Sequence, residues 1–172
     1  GWLYKAKNKI VDEEDNLKAI STEEQRQEII DMATDVEDWL YGDGRDVDIT
    51  VYRQKQTELT QLYHKLIHRY EEVEARESKV SDAKSFIAKV TSAVSDWEVK
   101  KPHITEEEKS ELLETVAMAE SWLTEKVEAQ DAMSAFEDPA FDSSDVPRQM
   151  KVLYSHYERL NKKPKPKPEP KN

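Results

Sequence analysis

The 172-residue chain contains no cysteine. Disulfides, thiolate metal centres and thiol catalysis are excluded with it. Glycine is nearly missing too, with 3 in all, at positions 1, 42 and 44. There is accordingly no glycine-rich phosphate loop, no G-x-x-x-x-G-K and no G-x-S-x-G elbow. No apolar run is long enough to read as a membrane span, and no signal peptide is read. No period-two alternation marks a β-strand. Basic charge is in deficit, with 26 Lys and Arg against 37 Asp and Glu and a net charge of −11. A field of that sign repels phosphate backbones, so nucleic acid is not an expected partner. The mean hydropathy of −0.90 raises the question of disorder. Four Trp, seven Tyr and a regular apolar spacing answer it for most of the length.

What is present is helical periodicity. The opening GWLYKAKNKI has no initiator Met and is already in helical register, so it reads as a piece of a longer protein. Leu3, Ala6 and Ile10 share a face of a first helix from Trp2 to about Glu14. After a polar linker, Ser21 and Glu24 make an S-x-x-E capping box. Ile29, Ala33, Val36 and Leu40 then recur at the helical period, widened by Met32 and Trp39. Gly42 and Gly44 interrupt this pattern beside Trp39. Gly42 is expected to end the helix in the left-handed conformation, and Gly44 to let the chain turn. Trp39 and Tyr41 would seal that corner.

Leu59, Leu62, Leu66 and Val73 give the next seam, with Tyr52, Ile67 and Tyr70 alongside. The pattern weakens over EEVEARESKVSD, where a bend or change of face is expected. It resumes at Val80, Ala83, Ile87, Val90, Val94 and Trp97, and Lys101-Pro102 ends it. Thr105 and Glu108 form a second capping box, ahead of a stripe of Leu112, Val116, Ala119 and Leu123 with Leu113 and Trp122 beside it. Residues 128–144 contain Pro139 and read as a long loop. A last helix from about Ser144 carries Val146, Met150, Leu153, Tyr157 and Leu160, and Pro147 suits its first turn. The ending KKPKPKPEPKN alternates Lys and Pro, which favours an extended tail with no core to join. The fold class is all-α: an antiparallel bundle of about five to six helices over 1–161, with a disordered Lys/Pro tail at 162–172.

No catalytic, cofactor or metal site is expected. His64 and His68 stand at metal-ligand spacing, but HKLIH has Lys65 where a metalloprotease helix needs Glu. They read as two solvated histidines. Glu106, Glu107 and Glu108 read as first-turn acids facing the positive end of a helix dipole, because no loop of converging oxygens accompanies them. Trp39, Gly42, Gly44, Trp97 and Trp122 read as structural. Met133, Phe136 and Phe141 are apolar in an acidic, poorly periodic segment. They either tuck the loop onto the bundle or offer an apolar surface to another protein.

The stretches WLYKAKNKI, STEEQRQEI, DVEDWLYGDG, ELTQLYHKLIHRYEEVEAR and NKKPKPKPEPKN together resemble the C-terminal region of the large heat-shock chaperones, the bigger relatives of the seventy-kilodalton class. In that family a helix ends in Trp-Leu and an acidic, glycine-containing turn. A helix of the form Y-x-x-K-x-x-E-L follows, and then R-x-x-E. Here these positions are Trp39, Leu40, Tyr52, Lys55, Glu58, Leu59, Arg69 and Glu72. The ending and STEEQRQEI look most like the endoplasmic-reticulum branch, called glucose-regulated protein 170 or hypoxia up-regulated protein. The cytosolic branch is the alternative.

The resemblance implies a binding module and not an enzyme, corresponding to the helical lid and its extension. Its implied partners are unfolded or misfolded polypeptides, and the apolar loop residues Met133, Phe136 and Phe141 are the surface this chain is expected to offer them. In full length the family binds ATP in another domain and acts as nucleotide exchange factor for a smaller heat-shock chaperone. No membrane partner is implied. The reticulum lumen is the implied location, with the cytoplasm as the alternative. A spectrin-like structural spacer is the competing reading from another class, because it also uses Trp-bearing heptad helices.

Overall fold

The computed structural model describes residues 1–168. Among them are six α-helices, one short 3-10 segment and no strand. The helices are α1 (Trp2–Asp12), α2 (Glu14–Leu17), α3 (Glu23–Tyr41), α4 (Ile49–Lys100), α5 (Glu106–Asp131) and α6 (Asp145–Asn161). The 3-10 segment, η1 (Asp43–Asp46), joins α3 to α4. The all-α expectation holds.

Helix starts follow their caps. Thr105 accepts from the Glu108 backbone at 3.1 Å, and Glu108 accepts from the Thr105 backbone at 2.9 Å, so the second capping box forms as expected. The first box lies one residue later than the expected Ser21–Glu24 pair. Thr22 and Gln25 make it, with both bonds at 3.1 Å. Ser21 is drawn inward instead. Its hydroxyl donates to the Leu17 carbonyl and accepts from the buried Arg26 guanidinium at 3.0 Å. A second Arg26 bond reaches the Ser21 carbonyl at 2.7 Å. The polar linker expected before this cap contains the single turn α2, which places Leu17 in the core.

The bend expected at 71–82 does not interrupt the helix. α4 runs unbroken through 52 residues. EEVEARESKVSD has no Gly or Pro and is rich in good helix formers, so a weak apolar pattern there carries no local tendency to break. What changes at this point is the core being served. The chain divides into two compact units: Gly1–Glu74 with Met133–Pro139, and Ala75–Ala132 with Ala140–Asn172. Val73, assigned above to the seam, is exposed beside the boundary.

In the first unit Ile10, Leu17, Ile20, Ile29, Ala33, Leu59 and Leu66 are buried together. Trp2 and Tyr63 meet edge to face at the side of this core, 5.8 Å apart. In the second unit the stripes read from sequence are buried, with Val80 at the edge only partly so: Ala83, Ile87, Val90, Val94 and Trp97 on α4, Leu112, Val116, Ala119 and Leu123 on α5, and the five apolar residues read on α6. Tyr157 packs here between Trp97 and Phe86, each ring centroid 5.8 Å away. The buried residues therefore gather in two cores, one in each unit.

The last helix ends at Asn161, at the boundary read from sequence. Lys163 pairs with Glu108 at 2.7 Å, and its carbonyl lies 2.9 Å from His103 Nε2. Residues 163–168 have no regular secondary structure. Of the expected tail, 169–172 lie outside the described residues.

Candidate functional site

The loop after α5 shows how sequence places a polar segment with apolar side chains. Pro139 bars continuation of a helix. A tight turn forms instead, in which the Phe136 backbone donates to Ser134 Oγ at 3.2 Å and the Ser134 backbone donates to Glu137 at 2.9 Å. Met133–Pro139 belongs to the first unit, where one buried cation holds it. The Arg69 guanidinium donates to the Phe136 carbonyl at 2.8 Å, the Ile20 carbonyl at 3.0 Å and Asp138 at 3.1 Å. Gln25, the capping-box residue of α3, adds a bond to the Phe136 carbonyl at 3.1 Å. Asp138 also pairs with Lys65 at 2.8 Å. The Lys65 ammonium and then the Arg69 guanidinium hold the Asp138 carboxyl below its ordinary range, against the opposing effect of partial burial.

Arg69 enters the sequence reading through the family resemblance alone, yet a physical signal for it also exists. It follows Leu59, Leu62 and Leu66 at three-four spacing, so a cation occupies a core-facing position of the helix. Such a cation needs acceptors, and two backbone carbonyls and a carboxylate supply them.

The three apolar loop residues do not act together. Met133 is half-buried, and Phe136 is 40% exposed while its carbonyl is clamped. Phe141 is 6% exposed and belongs to the second core, edge to face with Trp122 at 6.2 Å. Its period relative to Val146 and Met150 is poor because it enters that core from the loop, ahead of α6. A surface role is therefore removed for Phe141.

A second feature lies at the corner of α3, η1 and α4. Gly42 has φ −106° and no described glycine has positive φ, so the expected left-handed cap is not formed. The glycine demanded by sterics is Gly44. A Cβ there would stand 2.7 Å from the Trp39 carbonyl and 2.8 Å from the indole. Lys55 covers the same indole from α4, 5.4 Å from the ring centroid. With Trp39 clasped in this way, the neighbouring apolar side chains are left outside. Tyr41 is 72% and Ile49 61% exposed, and Val47 and Val51 are also exposed. Asp35, Asp38, Asp43, Asp46 and Asp48 are exposed in the same stretch of chain. Asp48 accepts from the Thr50 backbone and hydroxyl, both at 3.0 Å, and these bonds lower its carboxyl pKa.

His64 and His68 both lie on the exposed side of α4. The Glu106–Glu108 run is accounted for by Lys109, which pairs with Glu106 at 2.7 Å, and by the Glu108 cap and its Lys163 partner. Lys163 first, and the Thr105 backbone second, lower the Glu108 pKa. No described helix is long and apolar enough to cross a membrane.

These features define a class: an all-helical module with two cores and an acidic surface studded with apolar side chains. Residues 80–164 match the family described as HYOU1-like, C-terminal domain. Over 167 residues, 97% of the chain, it is 29% identical to heat shock 70 kDa protein 17 of Arabidopsis thaliana, of which it covers 19%. It is 31% identical to heat shock 70 kDa protein 15 of the same plant, over 96% of the chain and 20% of that protein. Human heat shock 70 kDa protein 4 is 27% identical over 98% of the chain and 20% of its own length. No solved structure matches. The chain is thus similar, over 80–164, to that C-terminal domain and, over almost its whole length, to a stretch of the heat shock 70 kDa proteins. The chain spans about a fifth of the length of these relatives.

Proposed function

We propose that this domain holds unfolded or misfolded polypeptide without nucleotide, as the client-binding part of a larger chaperone. The observation that carries the reading is exposed apolar surface on well-packed helices, including Phe136 at its clamped turn and Tyr41 and Ile49 at the corner. Single exposed apolar residues are ordinary, whereas grouped ones mark interaction surfaces. The net charge of −11 keeps such a surface soluble. Met133 and Phe136 are the loop residues that would touch a client. In the full-length protein, exchange of nucleotide on a smaller heat-shock chaperone and binding of ATP belong to segments beyond this chain. The reticulum lumen is the proposed compartment, on the likeness of STEEQRQEI and the closing NKKPKPKPEPKN to that branch. The similarity to heat shock 70 kDa protein 4 favours the cytoplasm as the alternative. Fractionation of cells carrying the tagged full-length protein separates these two.

The test of holding is light scattering by a chemically denatured client diluted into buffer with and without this domain. Suppressed scattering, without ATP, supports holding. Undiminished scattering across several clients leaves the domain as a spectrin-like structural spacer.

A further inference from the structure

We infer that the α3–α4 corner is a docking point for polypeptide segments that mix apolar and basic side chains. The inference rests on the polypeptide-holding reading and assigns it a place and a client chemistry. Tyr41, Val47, Ile49 and Val51 are exposed within eleven consecutive positions. None of them serves the first unit's core. The corner is held in shape from beneath, because Gly44 lies against the Trp39 indole and Lys55 covers that ring. A shaped apolar surface loses little conformational freedom on binding, which favours affinity.

The surrounding charge selects the occupant. Asp35, Asp38, Asp43, Asp46 and Asp48 are exposed in the same stretch, and over 35–55 six acids stand against three bases, Arg45, Arg53 and Lys55. A second copy of the chain would bring the same acids and be repelled, and an anionic lipid surface or nucleic acid would be repelled likewise. A segment with Leu or Val interspersed with Arg or Lys satisfies both parts of the surface. The loop at 133–139 is a separate place. Gln25, its partner on α3, precedes Tyr41 by sixteen residues of one helix, which is about 24 Å along the axis.

The experiment measures fluorescence anisotropy of three labelled unstructured peptides, alternating Leu with Arg, Leu with Ser or Leu with Glu, titrated with the whole chain. The Leu/Arg peptide should bind tightest and the Leu/Glu peptide weakest. The double substitution Tyr41→Ser/Ile49→Ser should weaken Leu/Arg binding about tenfold or more. Both side chains are mostly exposed, so thermal unfolding should not move. Asp43→Asn/Asp46→Asn should weaken Leu/Arg but not Leu/Ser binding, and should flatten the salt dependence. Unchanged affinity in both double variants overturns the corner. If Phe136→Ser alone abolishes binding, the corner falls while polypeptide holding stands. If the wild type binds no peptide and suppresses no aggregation, both fall together.

Discussion

Gly44 and Arg69 are the two residues on which the first unit's local geometry turns. With 2.7 Å between a new Cβ and the Trp39 carbonyl, Gly44→Ala must displace backbone or indole. Overpacking of that kind costs about 1–3 kcal/mol. At Gly42 the nearest contact is 3.3 Å, so Gly42→Ala should cost less. Urea unfolding of the two variants checks the order, and a larger loss at Gly42 would contradict it. Arg69→Met removes the donors to Ile20, Phe136 and Asp138 and should cost about 2–3 kcal/mol. Asp138→Asn should cost less, since the Asp138 side chain is half exposed and an amide oxygen there can still accept from Arg69. A near-neutral Arg69→Met would show that the loop is not held by this cation. The need for glycine beside Trp39 was legible in the sequence, but its reason was not. A left-handed cap and a close approach call for the same residue, and only backbone coordinates tell 42 from 44. Arg69 was named for its resemblance alone, because its acceptors come from residues 20, 136 and 138, far away in the chain.

At the scale of elements, the α5–α6 pairing contains a titratable contact. His156 Nδ1 lies 2.8 Å from the Thr115 hydroxyl, and burial first, then Arg159, depresses the His156 pKa, with Glu111 opposing. The folded state therefore resists a proton that the unfolded chain accepts near its ordinary value of 6.5. Stability contributed by neutral His156 is present above that value and is lost as pH falls toward the depressed one. Thermal unfolding should shift downward as the pH falls below the ordinary value of 6.5, and His156→Gln should flatten the shift. An identical shift in the variant would assign it to other groups. The stripes of α5 and α6 were legible because periodic apolar residues sit on strongly helical sequence with clear caps. The continuity of α4 was not. Its apolar pattern fades at 71–82 because the helix leaves one core and enters another, and a fading pattern reads like a break. The first capping box slipped by one because Ser21 and Thr22 both fit the pattern, and the pull of buried Arg26 on Ser21 decides between them.

At the scale of the whole molecule, two cores should show two sets of local openings. Leu59→Ala and Leu153→Ala each remove a fully buried side chain and should cost about 2–5 kcal/mol. Hydrogen exchange should quicken mainly in 1–74 for the first and in 75–132 and 140–161 for the second. Equal loss of protection everywhere in both variants would mean one cooperative unit. The central claim is that this acidic helical domain itself binds unfolded chains. It is tested most directly by calorimetric titration with a permanently unfolded, soluble polypeptide rich in Leu and Arg, at several temperatures and without nucleotide. The account predicts saturable binding with a negative heat-capacity change from apolar burial, weakened by added salt. A titration with no binding at any temperature, using protein shown by circular dichroism to be folded, would contradict it.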